Sequence, residues 1–344
     1  MTILISGATG FIGRYLCARL TADQHPVLAL MRRPEQLPVL RKKVDALGGQ
    51  GNLVEALAGD LDQPPELLFR GLPEVDAIVH LGARFGWQLD QEEARATNVT
   101  GSLAIAELAR HLGRRLVFVS GFMLENHAHL RALGIDLEQP EKTGWDQVYR
   151  RAGTYEASKL EAAFRVRAMV EQGLDLVEVQ PATVAGNSLS GELDPAQPLY
   201  QLIDNLAQGR LAMIPGTADH WLPLVAVDHL AALIARATLV ENPPARLLAL
   251  DPDTPPLLPL LAQVAQVLGK RPPKRYLPIP VLSFLLRMPG LSRLMNTYPE
   301  ALHFIQTTRF DTTATDAFSK AEGLVAPDMN RVIQANAEFY RKKC

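Results

Sequence analysis

Two short runs in this sequence carry residue types that could work together on one reaction. The first is Ser6-Gly7-Ala8-Thr9-Gly10-Phe11-Ile12-Gly13, which follows a short apolar stretch and opens a segment of helical spacing. In that setting Gly7 permits a tight turn, Gly10 lets backbone approach a pyrophosphate, and Gly13 lets helix and strand pack closely. The helix start then offers unpaired N–H groups and a positive dipole end to phosphates. The second run is Tyr155-Glu156-Ala157-Ser158-Lys159. A spacing of four puts Tyr155 and Lys159 on one helical face. The ordinary phenol pKa is about 10. A neighbouring ammonium, joined by the positive ring of an oxidised nicotinamide, favours phenolate. Such a tyrosine can exchange a proton with a carbonyl or alkoxide oxygen as hydride moves, and Lys159 could also hold the nicotinamide ribose.

Other positions refine the nucleotide. An apolar stretch ends in Met31-Arg32-Arg33, where an NAD-specific site would place an acidic residue for the ribose hydroxyls. Guanidinium groups pair bidentately with phosphate oxygens, so Arg32 and Arg33 predict a 2′-phosphate and hence NADP(H). A solvated pair of arginines at a strand end is the plainer reading. Asp60-Leu61 follows the third apolar run, where a carboxylate could accept an adenine amino group or simply belong to a polar loop.

These residues need a scaffold, and the pattern supplies one. Apolar runs at Thr2–Ser6, Val27–Met31, Leu53–Ala58, Val75–Leu81, Leu116–Ser120 and Leu176–Gln180 alternate with helical spacing at Phe11–Thr21, Glu92–Leu112 and Tyr155–Gln172. Continuous apolar strands between helices imply an α/β fold with a parallel sheet covered on both faces. Right-handed crossovers make it a Rossmann-type doubly wound sheet. The stretch 121–152 reads as a long polar loop. Composition shifts after Gly186, with prolines at 195, 198, 215, 243–244, 255–256 and 272–273. The expected division is an NADP-binding domain at 1–186, to which 226–250 returns, and a smaller C-terminal substrate lobe of 187–225 and 251–344. Leu277–Met295 is rich in Leu, Pro and Met with few charges, read as a buried helix of that lobe or, alternatively, as a surface facing lipid or an acyl chain.

At this point the sequence resembles the extended short-chain dehydrogenase/reductase family. The likeness includes Ser6–Gly13, Asp60-Leu61, His80-Leu81-Gly82-Ala83, Asn98-Val99-Thr100-Gly101, Tyr155–Lys159, Pro181–Gly186 and Val225-Ala226-Val227-Asp228. Within the family it looks most like the thioester-reductase and fatty-acyl-reductase branch. The pointers are the length between Arg32 and Gly59-Asp60-Leu61, the run Val184–Gly191, and Arg309–Asp316. The resemblance implies that Asn98 anchors the active-site helix and that Gly82, Ala83, Pro181 and Val184 belong to the cofactor site, Ala83 and Pro181 lining it. It also implies, by analogy alone, a homodimer paired through the helices at 91–112 and 155–172. There is one departure. The family usually ends its fifth strand in Ser-Ser or Ser-Thr, whose second hydroxyl contacts the substrate carbonyl. Here the pair is Ser120-Gly121. Ser120 or a residue of 122–130 could substitute, Tyr155 could polarise the carbonyl alone, or the protein could bind nucleotide without turnover.

The eight histidines form no metal-ligand set by spacing, so no metal is expected. His127 and His129, two apart, could donate protons near Tyr155 or be ordinary loop histidines. Arg150 and Arg151 could meet a phosphopantetheine or CoA phosphate, or simply be solvated. A net charge of −2 gives no nucleic-acid footprint. Two cysteines, Cys17 and Cys344, suit a reducing compartment. No secretory signal or transmembrane run is visible, so a cytoplasmic location is expected. The expected activity is hydride transfer from NADPH to the carbonyl of an apolar or acyl-thioester-derived small molecule, with Tyr155 as acid, Lys159 as its tuner, and the Leu-rich stretch 257–305 near the substrate. The alternatives are a ketone or aldehyde dehydrogenase of hydroxysteroid or β-keto type, or an NADP(H)-binding sensor.

Overall fold

Strand-forming segments rich in Ile, Leu and Val fold here into one seven-stranded sheet. The computed structural model describes residues 1–63 and 71–343. The sheet strands are β1 (Ile3–Ser6), β2 (Val27–Met31), β3 (Val54–Ala58), β4 (Ala77–His80), β5 (Arg115–Val119) and β6 (Leu176–Pro181), with β10 (Arg246–Ala249) added at one edge. Between β6 and β10 the chain forms β7 (Thr183–Ala185), β8 (Ile214–Pro215) and β9 (Leu224–Ala226), and after them β11 (Tyr276–Leu277). The large sheet runs β10-β6-β5-β4-β1-β2-β3, and its paired strands are parallel. Residues of β1, β2 and β4 are buried throughout, as two covered faces require. The order reverses between β1 and β4, where Ser6 lies opposite His80 in register. In open α/β sheets the crevice beyond the strand ends at such a reversal is the ligand site.

Two compact units make up the chain. The first is Met1–Gln180, Leu230–Leu248 and Thr313–Leu324; the second is Pro181–His229, Ala249–Thr312 and Val325–Cys344. Thr313–Leu324, placed by composition in the small lobe, belongs to the first unit, where Glu322 pairs with Arg236 at 2.8 Å. The second unit has two small parallel pairs, β7 with β9 and β8 with β11. Its core is helical: Leu199, Ile203, Leu260, Leu261, Val332 and Ile333 are buried together. Asp228 clamps its Val184–Gly191 run, accepting from the Ser188 backbone N–H at 2.9 Å and the Ser188 hydroxyl at 2.5 Å.

Three sequence readings change. The helix expected at Glu92–Leu112 begins as α at Gln91–Ala94, passes through a π-helical stretch at Arg95–Thr100, and resumes at Gly101–Leu112. The supposed loop 121–152 contains helices His127–Leu133 and Trp145–Ala152. Each is too short to show clear periodicity, and each is held by packing: Leu130 and Leu133 are buried from one, Val148 and Tyr149 from the other. The Leu277–Met295 segment buries only one side of its helix Ile279–Leu286, through Leu282 and Leu286.

Cys17 is fully buried, which pushes its thiol up to about 12, so it behaves as a small apolar side chain. Cys344 lies outside the described residues.

Candidate active site

The turn after β1 is built for close approach. Gly7 has φ +78°, and a Cβ there would stand 2.8 Å from the Gly82 nitrogen. At Gly13 a Cβ would stand 2.2 Å from the Gly7 carbonyl oxygen. No other residue type fits either position without moving backbone. Gly10 caps the helix Phe11–Ala22 with no side-chain hydrogen bond, so the first N–H groups of that helix keep no side-chain acceptor at the cap. This is the arrangement that accepts a phosphate.

A cleft of about 310 Å³ opens over this turn, and all its walls come from the first unit. Gly7, Thr9 and Gly10 form one side, Arg32 and Arg33 another, and Asp60, Leu61, Gly82 and Ala83 a third. Phe11, Ile12 and Gly13 continue into the helix behind the turn. Arg32 and Arg33 are exposed at the end of β2, and neither guanidinium makes a hydrogen bond or ion pair among the described residues. Asp60 is engaged locally, its carboxylate accepting from the Asp62 N–H at 3.2 Å.

Tyr155 and Lys159 lie on the helix Thr154–Ala168. Lys159 Nζ donates to the Val119 carbonyl at 2.8 Å, which ties the ammonium to the end of β5, one residue before Ser120. The Tyr155 ring meets the edges of Phe85, at 4.8 Å between centroids, and Trp87, at 6.4 Å. Its hydroxyl has no hydrogen-bond partner among the described residues, and the buried Ser120 Oγ has none either. Burial raises the Tyr155 phenol well above its usual value, and the Glu156 carboxylate adds to this. Burial also lowers Lys159 to about 8, against an opposing pull from Glu178. Both effects on Tyr155 favour the protonated form, so the phenol of the protein by itself is a proton-bearing acid.

A line of hydrogen bonds fixes that helix to the strand ends. Asn98, within the π-helical stretch, donates from Nδ2 to Ser158 Oγ at 2.9 Å, and Ser158 Oγ donates to the Tyr155 carbonyl at 2.9 Å. Asn98 Oδ1 accepts from the Arg84 N–H at 2.7 Å. Ser102 Oγ donates to the Asn98 carbonyl at 2.6 Å and contacts His80 Nε2 at 2.8 Å, while His80 Nδ1 meets Ser6 Oγ at 2.5 Å. Burial, helped by the charge of Lys159, holds His80 down at about 3, so this ring is neutral and joins β1, β4 and the helix Gly101–Leu112.

Among the catalytic candidates, Asn98 and Lys159 thus reach the Tyr155 helix and the β5 end, with Ser120 next in chain. Pro181 and Val184 are buried residues of the second unit, at the end of β6 and in β7. His129 is not a free donor: its Nε2 lies 2.7 Å from the Glu156 carboxylate. Arg151 donates to the Ala132 carbonyl at 3.0 Å, and Arg150 is exposed. Sequence reasoning missed Arg84 and Thr97, which also line the cleft. Arg84 forks to Asp62 at 2.8 Å and Glu93 at 2.9 Å, and its Nε donates to Thr97 at 2.8 Å. Arg84 stands directly after Ala83 in the quoted motif, the one cue that could have found it. The aromatic pair Phe85 and Trp87 was missed as well; an isolated Phe-Gly-Trp in a loop carries no spacing signal.

Comparison with known proteins agrees with this geometry. The chain matches the NAD dependent epimerase/dehydratase family over residues 3–245. A PKS-NRPS hybrid synthetase, cheA, of Chaetomium globosum is 26% identical over 245 residues, which are 68% of this chain and 5% of that protein. Sterol demethylase protein B of Methylococcus capsulatus is 30% identical over 241 residues, 67% of this chain and 66% of that one. This chain therefore spans a small fraction of the synthetase and about two thirds of the bacterial protein. The crystal structure of the terminal R domain from the myxalamid PKS-NRPS biosynthetic pathway superposes with a TM-score of 0.77 at 21% identity, covering 99% of this chain and 90% of that one, a likeness of fold. The turn, the strand order and the matched sequence agree: this chain belongs to the NAD-dependent epimerase/dehydratase family, the extended short-chain dehydrogenases/reductases.

Proposed function

We propose that this enzyme uses NADPH to reduce the carbonyl of an apolar or acyl-thioester-derived substrate. The observation that carries the reading is the Tyr155 hydroxyl, protonated and without a protein partner, on a helix held by Asn98 and Lys159. NADPH, when bound, supplies the hydride. Gly7, Gly10 and the helix start behind them would hold its pyrophosphate, and Arg32 with Arg33 its 2′-phosphate. The crowding at Gly7 and the uncapped helix start fit such a group. Tyr155 gives its proton to the carbonyl oxygen as the carbon takes the hydride. Lys159, with its ammonium on the Val119 carbonyl, steadies the phenolate left behind. The acyl-thioester reading draws support from the likeness to the R domain and the synthetase, and the apolar character from Phe85 and Trp87 against the Tyr155 ring.

Gly121 favours a slow reductase over a dead one. Its φ of −178° is extended backbone, and a Cβ there meets nothing within 4 Å. The glycine thus leaves space and imposes no strain. A missing oxyanion donor costs about 10²–10³ in rate, so Gly121→Ser should raise turnover toward that extent. The decisive measurement follows NADPH oxidation against acyl-CoA thioesters, aldehydes and β-keto compounds. Thioester turnover supports the reading. Turnover of ketones or aldehydes alone moves it to the alcohol-forming alternative. Tight NADPH binding with no turnover, unchanged in Gly121→Ser, identifies a nucleotide-binding sensor.

A further inference from the structure

Within the second unit, residues 254–299 contain no Asp or Glu and six cations: Lys270, Arg271, Lys274, Arg275, Arg287 and Arg293. The whole chain carries a net charge of −2, so this concentration is local. All six are exposed, and none makes an ion pair among the described residues. They bracket an apolar helix. Lys270 to Arg275 lead into β11 and then into the helix Ile279–Leu286, while Arg287 and Arg293 follow it. That helix buries Leu282 and Leu286 in a small cluster with Leu302. Its other side is bare: Val281 and Phe284 are exposed, Phe284 by 71%, with Met288 exposed one turn on and Leu294 exposed by 73%. Large apolar groups left this open, at helical spacing and flanked in sequence by one sign of charge, mark a surface that meets a partner.

We infer that this face docks on an anionic phospholipid surface, the helix Ile279–Leu286 lying in the headgroup plane with Phe284 and Met288 toward the acyl boundary. Charge complementarity selects the occupant. Unpaired Lys and Arg beside an exposed apolar helix face are the combination that binds anionic lipid, each cation adding to the attraction. The helix is short, and no helix among the described residues is long and apolar enough to cross a membrane, so the segment lies on the bilayer. The inference is independent of the reductase reading, because it uses none of the cleft.

The test is co-sedimentation of the full chain with vesicles of phosphatidylglycerol or of phosphatidylcholine. Binding should favour the anionic vesicles by about tenfold or more and fall steeply as salt is raised. Lys270→Gln, Arg271→Gln, Lys274→Gln and Arg275→Gln together should abolish the preference. Phe284→Gln should weaken binding while leaving the salt dependence in place. An unchanged urea-unfolding midpoint in each variant reports that the fold is intact, and the salt titration of the unaltered chain tests the inference without any substitution. Equal binding to both vesicles, no binding to either, or capture of an acidic carrier protein with no vesicle binding would overturn it.

Discussion

Three arginines of the first unit, Arg84, Arg95 and Arg165, are used in the opposite way to the cations of residues 254–299. Arg84, which lines the cleft, forks between Asp62 and Glu93, and Arg95 and Arg165 share the buried Glu161 at 2.8 and 2.6 Å. Arg32 and Arg33, at the strand end facing the cleft, make no ion pair among the described residues. In 254–299 every cation is unpaired. The lesson concerns what a charge is for. A paired arginine positions backbone and side chains, and removing its partner leaves an expensive orphan. An unpaired exposed cation contributes little to folding, so its presence points outward, to something the protein binds.

That contrast can be broken by measurement. The largest effect is expected at the positioned end. Tyr155→Phe keeps the ring against Phe85 and Trp87 and removes the acid, so turnover should fall by about 10³-fold while fluorescence titration still shows NADPH binding. Full activity would remove Tyr155 from the chemistry. Next is Arg32→Ala, which should weaken NADPH by about tenfold or more and leave NADH nearly as it was; an unchanged preference means the unpaired arginines are not a phosphate site.

Lys159 gives a pH signature. Its ammonium is present below about 8 and is lost as pH rises through that value. Reduction should therefore lose kcat/KM above about pH 8, and Lys159→Met should be slow and lack that limb. The same residue contributes stability that rises between about pH 8 and 10.5, where the unfolded chain holds the proton and the folded chain does not. A limb that survives in Lys159→Met belongs to another group. The smallest effects separate the two regions by stability alone. Asn98→Ala, which strands the Arg84 N–H and removes the donor to Ser158 Oγ, should cost about 1–3 kcal/mol in urea unfolding. Lys274→Gln with Arg275→Gln should cost less than about 0.5 kcal/mol. Comparable costs would end the distinction.

Much of the first unit was legible in sequence. The runs Val27–Met31 and Val75–Leu81 contain β2 and β4, because parallel strands buried on both faces must be apolar along their length. The glycine turn was legible for a steric reason that holds in any context. The helices of 121–152 were not, since seven or eight residues give too few turns for periodicity, and their burial depends on neighbours far off in sequence. Arg84, Phe85 and Trp87 were missed because their roles come from what the fold brings beside them.

By itself the sequence determined the strand–turn–helix that opens the chain, the acid–ammonium pair at residues 155 and 159, and the arginines after β2, because each depends on local spacing and residue type. Tertiary structure decided the protonation of Tyr155, the neutrality of His80 and the openness at Gly121. Those depend on how much water, charge and free volume surround an atom, and these are set by strands and helices that are neighbours only once the chain has folded.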